Sequence, residues 1–178
     1  MKLIFTGSQG TGKSTILNNT PITNKITEVV RSLSKEGVKI NRAGDAEGQQ
    51  IIFEAYKELL AQKGDWVSDR GLTDVLAYTI YLQMNASDDE EKTKLTNVML
   101  SQMEDLVKYN KKNPDVMYVY FPIEFDVVGD GVRDTDEVYR ADIDSLIVRL
   151  LDISGAHYIT IHGSVEERID TIYNLLGE

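Results

Sequence analysis

The chain has 178 residues, 42% of them hydrophobic and 27% charged, which suits one globular domain large enough to bury a core. A net charge of −10 argues against a broad duplex-DNA surface, which draws on Lys and Arg, and the lack of cysteine excludes disulfides and thiolate metal sites. No apolar run approaches the ~20 residues that cross a bilayer, and the N-terminus has no signal-peptide pattern, so a cytoplasmic protein is expected.

Leu3, Ile4 and Phe5 form a short apolar run that reads as a buried strand. Behind it, Gly7-Ser8-Gln9-Gly10-Thr11-Gly12-Lys13-Ser14 fits Gly-x4-Gly-Lys-[Ser/Thr], the phosphate-loop (P-loop) pattern. Glycines let the backbone take positive φ and approach an anion, so that successive N–H groups face phosphate oxygens. A helix starting near Lys13 adds the positive end of its dipole, Lys13 supplies a mobile charge for the β/γ-phosphates, and the Ser14 hydroxyl can ligate Mg²⁺. Gly7 to Thr15 therefore mark a nucleoside-triphosphate site.

That helix ends at Asn19-Thr20-Pro21. Ile22, Thr23, Ile26 and Thr27 predict a second strand over 22–27, ending near Glu28, and Val29, Val30 and Leu33 a short helix running to Gly37. After a loop, Asp45 is placed to cap a helix over 46–63 carrying Ile51, Ile52, Ala55, Tyr56, Leu59 and Leu60, closed by Gly64. A brief strand then ends in the Asp69-Arg70 pair, and residues 72–85 are so nearly apolar all round that their helix should be central. Asp88-Asp89-Glu90-Glu91 reads as the solvated first turn of a helix to about 111, in which Met99 and Met103 fill the core. Val116 to Phe121 form a fully buried strand of the kind found in parallel sheets. Residues 122–135 hold the charged segment Gly129 to Thr135 in the position of a closing lid. A helix over 136–152, a strand over 157–162 and a helix over 165–176 capped by Gly163-Ser164 complete the chain.

Strands alternating with helices predict a single α/β domain over 1–178, a parallel sheet between two helical layers. In such sheets ligands sit at the carboxyl ends of the strands, which draws attention to the P-loop, Glu28, Asp69-Arg70, the segment after Phe121, and Gly163. Asp69 could hold Mg²⁺ or merely cap the helix that follows. Arg70 could grip a phosphate or the acceptor, or pair with Asp69 or Glu28. Glu28 is a candidate general base on an acceptor hydroxyl, the alternative being a helix N-terminal carboxylate. Arg31, one turn on, could help to bind the acceptor or face solvent. Arg133 and Arg140, beside the lid, could cover the transferring phosphoryl group or be solvated charges. His157 and His162 flank a buried strand and read as structural, with no metal-ligand spacing between them.

Taken together, the P-loop, Glu28-Val29-Val30-Arg31, Ser68-Asp69-Arg70-Gly71-Leu72-Thr73-Asp74-Val75-Leu76-Ala77-Tyr78 and Asp130-Gly131-Val132-Arg133 resemble a known family. It is the P-loop ATPase/kinase family that includes the ribosylnicotinamide-kinase domain of NAD-salvage regulators, with the deoxynucleoside and thymidylate kinases as more distant members. The resemblance implies a five-stranded parallel sheet in order 2-3-1-4-5, helices on both faces and a lid over about 122–140. It implies ATP and Mg²⁺ as cofactors. The implied roles are Lys13 and Ser14 on ATP and metal, Asp69 on the metal, Arg70 and Glu28 on the acceptor, Arg133 in the lid and Gly163 near the adenine. A phage-encoded member acting in nucleotide metabolism or DNA modification is consistent with it, and a homodimer is left open.

The reading that follows is a kinase moving the γ-phosphoryl group of ATP to a hydroxyl or monophosphate of a nucleoside-type acceptor. One rival is a kinase acting on a 5-hydroxymethyl pyrimidine in DNA, which the net charge disfavours but a small basic groove would allow. The other is a nucleotide-binding ATPase switch that reports to a protein partner.

Overall fold

Side chains alternate along the three inner strands of the sheet and so divide the interior in two. The computed structural model describes residues 1–126 and 136–177. Among these, β1 (Lys2–Thr6), β2 (Lys25–Ile26), β3 (Trp66–Asp69), β4 (Val116–Tyr120) and β5 (Tyr158–Thr160) form one parallel sheet in the order β2-β3-β1-β4-β5. The sheet order expected from the family resemblance is the one observed.

β1 pairs on both sides, Phe5 standing opposite Asp69 of β3 and Val119 of β4. Ile4, Trp66, Tyr118 and Tyr120 point to one face, against α3 (Ala46–Leu60), α4 (Leu72–Asn85) and α6 (Glu137–Ile153). Leu3, Phe5, Val67, Val119 and Phe121 point to the other, against α1 (Lys13–Asn18) and α7 (Val165–Leu176). The period-2 alternation of a strand thus serves two apolar layers at once. Leu3, Ile4 and Phe5 are fully buried, and each contributes about 1.5–3 kcal/mol of burial.

The remaining helices are α2 (Val29–Lys35) and α5 (Asp89–Lys112), with a 3₁₀ turn at Asn41–Ala43 in the loop after α2. The acidic run at the start of α5 does more than sit in solvent. Asp88 caps α5 by accepting the Glu91 N–H, and Glu91 Oε1 accepts the Ala46 N–H at 2.6 Å, capping α3 from outside. Met99 and Met103 pack partly buried against the core.

The edge strands are shorter than their sequences suggest. β2 keeps two residues of the six expected: Ile26 is buried against β3 and α3, whereas Ile22, next to Pro21, packs only partly buried against the other layer. β5 keeps three of six. α3 ends at Leu60, and Gly64, with φ +84°, belongs to the turn into β3. β4, α4, α5 and α6 lie within one residue of their expected places. No helix among the described residues is long and apolar enough to cross a membrane.

Candidate active site

The loop between β1 and α1 is dictated by its neighbours as much as by its own glycines. Gly7 has φ +139°, and a Cβ there would lie 2.5 Å from the Phe121 carbonyl oxygen at the end of β4. Gly10 and Gly12 also have positive φ, 71° and 87°. Lys13 opens α1 yet is buried, its ammonium donating to Gly7 O at 2.7 Å, Ser8 O at 2.6 Å and Thr11 Oγ1 at 3.2 Å.

Charged side chains from three helices hold the loop in place. Asp74 on α4 accepts the Gly7 N–H through Oδ1 at 3.4 Å and the Gly71 N–H through Oδ2 at 3.0 Å. Burial pushes its carboxyl up, against the opposing pull of Arg70, Lys13 and the Gly71 N–H. Asp144 on α6 faces the Ser8 N–H and accepts the Tyr120 hydroxyl at 2.7 Å; burial raises its carboxyl as well. Arg140 on α6 donates to Gln9 O at 2.9 Å and Gly10 O at 3.3 Å. Arg168 on α7 donates to Thr11 O at 2.7 Å.

Beyond Lys13, the Ser14 hydroxyl donates to Asp69 Oδ2 at 2.8 Å. Asp69 ends β3, beside β1, so the sheet itself brings it to the start of α1. Tyr56 donates its hydroxyl to the Asp69 carbonyl at 3.1 Å, while Asp69 Oδ1 is buried with no hydrogen-bond partner. A hydroxyl and a carboxylate with an unsatisfied buried oxygen are hard donors of the kind Mg²⁺ takes, so the pair fits that ion.

A cleft of about 330 Å³ runs from the P-loop across these residues. Its far wall carries Glu28, Val29, Val30, Arg31, Ile40 and Asn41, and its floor Gln49, Ile52, Tyr56, Asp69, Arg70, Asp74, Val75 and Tyr78. Glu28 precedes α2 in the left-handed region (φ +60°), exposed, with Arg31 Nε 3.5 Å from Oε2. Arg70 also has positive φ (79°); it donates to the Tyr78 hydroxyl at 3.3 Å and faces Asp74 at 3.8 Å. Although burial alone would lower it, Tyr78, Asp74 and Asp69 hold the Arg70 guanidinium above its ordinary pKa. Tyr78 in turn donates to Gln9 Oε1 at 3.1 Å, linking this arginine to the P-loop.

A family model described as an AAA domain matches residues 2–168. The chain belongs to the AAA domain family. No curated protein sequence matches it significantly. Among solved structures, deoxyadenosine kinase from M. mycoides, with products dCMP and a flexible dCDP bound, is similar at TM-score 0.62 and 15% identity, over 99% of this chain and 98% of that one. NadR protein in complex with NR is similar at TM-score 0.69 and 14% identity, over 99% of this chain and 52% of that one. NadR with NAD and AMP-PNP gives 0.64, 14%, 99% and 50%, so this AAA domain spans about half the length of the NadR chains. At these identities the likeness is one of fold, a P-loop kinase fold.

Within the AAA domain, the cleft gathers Gln9, Gly10, Thr11, Gly12, Lys13, Ser14, Thr15, Glu28, Arg31, Asp69 and Arg70. Arg140 lies neither over the cleft nor in solvent: its side chain is 1% exposed and its guanidinium lies against the loop carbonyls and Glu137. Gly163 (φ +92°) sits outside the cleft lining and donates its N–H to Glu124 Oε2 at 3.1 Å. Arg133, and with it the lid segment from 127 to 135, lies outside the described residues. His162 is exposed and paired with Glu124 at 2.6 Å, and the His157 carbonyl accepts the Tyr118 N–H in the sheet. Sequence reasoning did not single out Asp74, Tyr78, Asp144 or Arg168 as site residues.

Proposed function

We propose that the chain is an ATP- and Mg²⁺-dependent kinase that transfers the γ-phosphoryl group to a hydroxyl or monophosphate of a nucleoside-type acceptor. The observation that carries this reading is the Ser14–Asp69 pair, which stands between a phosphate loop and Glu28, Arg31 and Arg70 within one cleft. A nucleotide store needs only the first half of that cleft; a transferase needs both. Similarity to folds solved with deoxynucleotide products and with NR supports an acceptor of nucleoside type.

Phosphoryl transfer asks mainly for positioning and charge neutralisation. The loop N–H groups and α1 would hold the triphosphate, and Lys13 would leave its loop carbonyls for the β/γ-phosphates. Mg²⁺ held by Ser14 and Asp69 would neutralise charge on the β- and γ-oxygens. Arg70, fixed by Tyr78 and Asp74, would orient the acceptor. With a hydroxyl acceptor, Glu28 would take its proton as the acceptor oxygen bonds to the γ-phosphorus and the bond to the β,γ-bridging oxygen breaks, releasing ADP. Arg133 is the cation assigned to the transferring group on the strength of the family resemblance.

The test is ADP release from ATP and Mg²⁺ against ribo- and deoxynucleosides, their monophosphates, nicotinamide riboside, and DNA containing 5-hydroxymethyluracil. One acceptor should raise ADP release and yield a matching phosphorylated product. Phosphorylated DNA would make it the DNA-modifying kinase. A slow rate indifferent to every acceptor would overturn the kinase reading in favour of a nucleotide switch.

A further inference from the structure

Arg168 has the environment of a core residue. Its side chain is 1% exposed, between the Phe121 ring at 5.6 Å and the Phe125 ring at 4.9 Å. Nη1 donates to Thr11 O at 2.7 Å, Nε to Gly163 O at 3.0 Å, and Nη2 is paired with Glu124 Oε2. Burying a guanidinium is costly unless every edge is partnered, and here the carboxylate and two carbonyls partner it. Burial opposes ionisation of Glu124, but hydrogen bonds from His162, Arg168 and the Gly163 N–H outweigh it and hold the carboxyl below its usual range. Arg140, equally buried, repeats the arrangement with Glu137 as its carboxylate and Gln9 O and Gly10 O as its carbonyls.

The three carbonyls are consecutive, and that is the point of the arrangement. A trans peptide is planar with its C=O and N–H opposed, so fixing the oxygen fixes the direction of the N–H. Gln9 O, Gly10 O and Thr11 O belong to the peptides whose N–H groups are those of Gly10, Thr11 and Gly12. A run of small residues and glycines has little conformational preference of its own. Two planar, multidentate cations gripping its carbonyls supply the missing constraint.

We infer that Arg168 and Arg140 are positioning residues: acting as a pair, they turn the N–H groups of Gly10, Thr11 and Gly12 toward the triphosphate, and Glu124 and Glu137 orient the two guanidiniums. The inference rests on the reading of the P-loop as the ATP site. It assigns neither arginine a contact with the substrate.

The experiment compares wild type with Arg168→Lys and Glu124→Gln, measuring calorimetric Kd for MgATP and MgADP, melting temperature, and the KM for ATP and for the acceptor that the panel identifies. Lysine keeps the charge but cannot hold Thr11 O, Gly163 O and Glu124 together. Arg168→Lys should raise the ATP Kd and KM about tenfold or more while the acceptor KM stays within about twofold, the loss expected for a charge-assisted hydrogen bond. Glu124→Gln should do the same in weaker form. In Arg168→Ala, methylguanidine should restore part of the ATP affinity. A folded Arg168→Lys protein that binds MgATP as wild type does overturns the inference and leaves the kinase reading intact. Parallel losses in melting temperature and in both KM values would make Arg168 structural and overturn it too. Should Arg168→Lys fail to fold, Glu124→Gln decides by the same criteria. A wild type that binds no MgATP removes the kinase reading itself.

Discussion

The Ser14 hydroxyl donates to Asp69 Oδ2 across 2.8 Å, joining the first turn of α1 to the end of β3. Parallel pairing of β1 with β3 makes this meeting unavoidable, since Phe5 and Asp69 stand opposite each other. Replacing Asp69 by Asn keeps the shape and removes the charge. The Mg²⁺ concentration for half-maximal ADP formation should then rise roughly 10–100-fold, the scale of a lost metal-site partner. A metal titration at saturating ATP measures it, and an unchanged midpoint removes Asp69 from the metal site.

Lys13 already touches three loop oxygens, so its loss affects the loop as well as the substrate. Lys13→Met should lower turnover at least about 10²-fold, as for removal of one charge-stabilising donor. Circular dichroism should remain that of the folded chain. A folded variant that keeps most of its activity refutes the assignment of the loop.

Glu28 stands exposed on the cleft wall, where a general base must be reachable. Glu28→Gln should cut kcat by about 10²–10⁴ if it takes the acceptor proton. A drop below tenfold would leave it only the role of pairing with Arg31.

Gly7 admits no side chain, because its φ of +139° and the Phe121 carbonyl oxygen, 2.5 Å from where a Cβ would stand, both oppose one. Gly7→Ala should destabilise the chain by about 1–3 kcal/mol and spread β1 from β4 at their ends. Chemical denaturation measures the first effect, and loss of MgATP binding in the folded fraction the second.

Acid should loosen the loop through Glu124. Its folded pKa lies below the usual 4.5, so its pairing with Arg168 and His162 stabilises the fold fully above that value and is lost as pH falls through the lowered one. Asp74 and Asp144, raised by burial, act in the opposite sense: their cost fades as pH drops below their folded values. The melting-temperature difference between wild type and Glu124→Gln should therefore be largest near neutral pH and shrink below about 4.5. A difference that stays constant with pH would mean that the Glu124 charge contributes nothing.

The P-loop, the four long helices α3 to α6 and the gathering of Lys13, Ser14, Glu28, Asp69 and Arg70 were legible because each rests on local pattern or on strand ends in a parallel sheet, whereas the sheet order came from the family resemblance. Arg168 was not, since its partner Thr11 lies 157 positions away. A signal existed nonetheless. Arg168 occupies the apolar stripe of α7 with Ile172 and Leu175, and Arg140 that of α6 with Ile143 and Ile147. A cation at a core-facing helical position asks for buried oxygen partners, and a loop of glycines has carbonyls to offer. β2 was overestimated because β-branched residues favour a strand only where a neighbour covers them.

The two-residue edge strand β2 has a consequence for how this fold can change. α2 buries no residue completely, and only Lys25 and Ile26 pair in the sheet beside it, while Val29, Val30, Leu33, Val38 and Ile40 pack partly buried against the core. The phosphate end, by contrast, is bolted to three helices. Substitutions at the exposed positions of this peripheral segment should therefore cost less stability than substitutions in the loop-and-helix frame, which leaves the cleft-facing residues of the segment freer to vary.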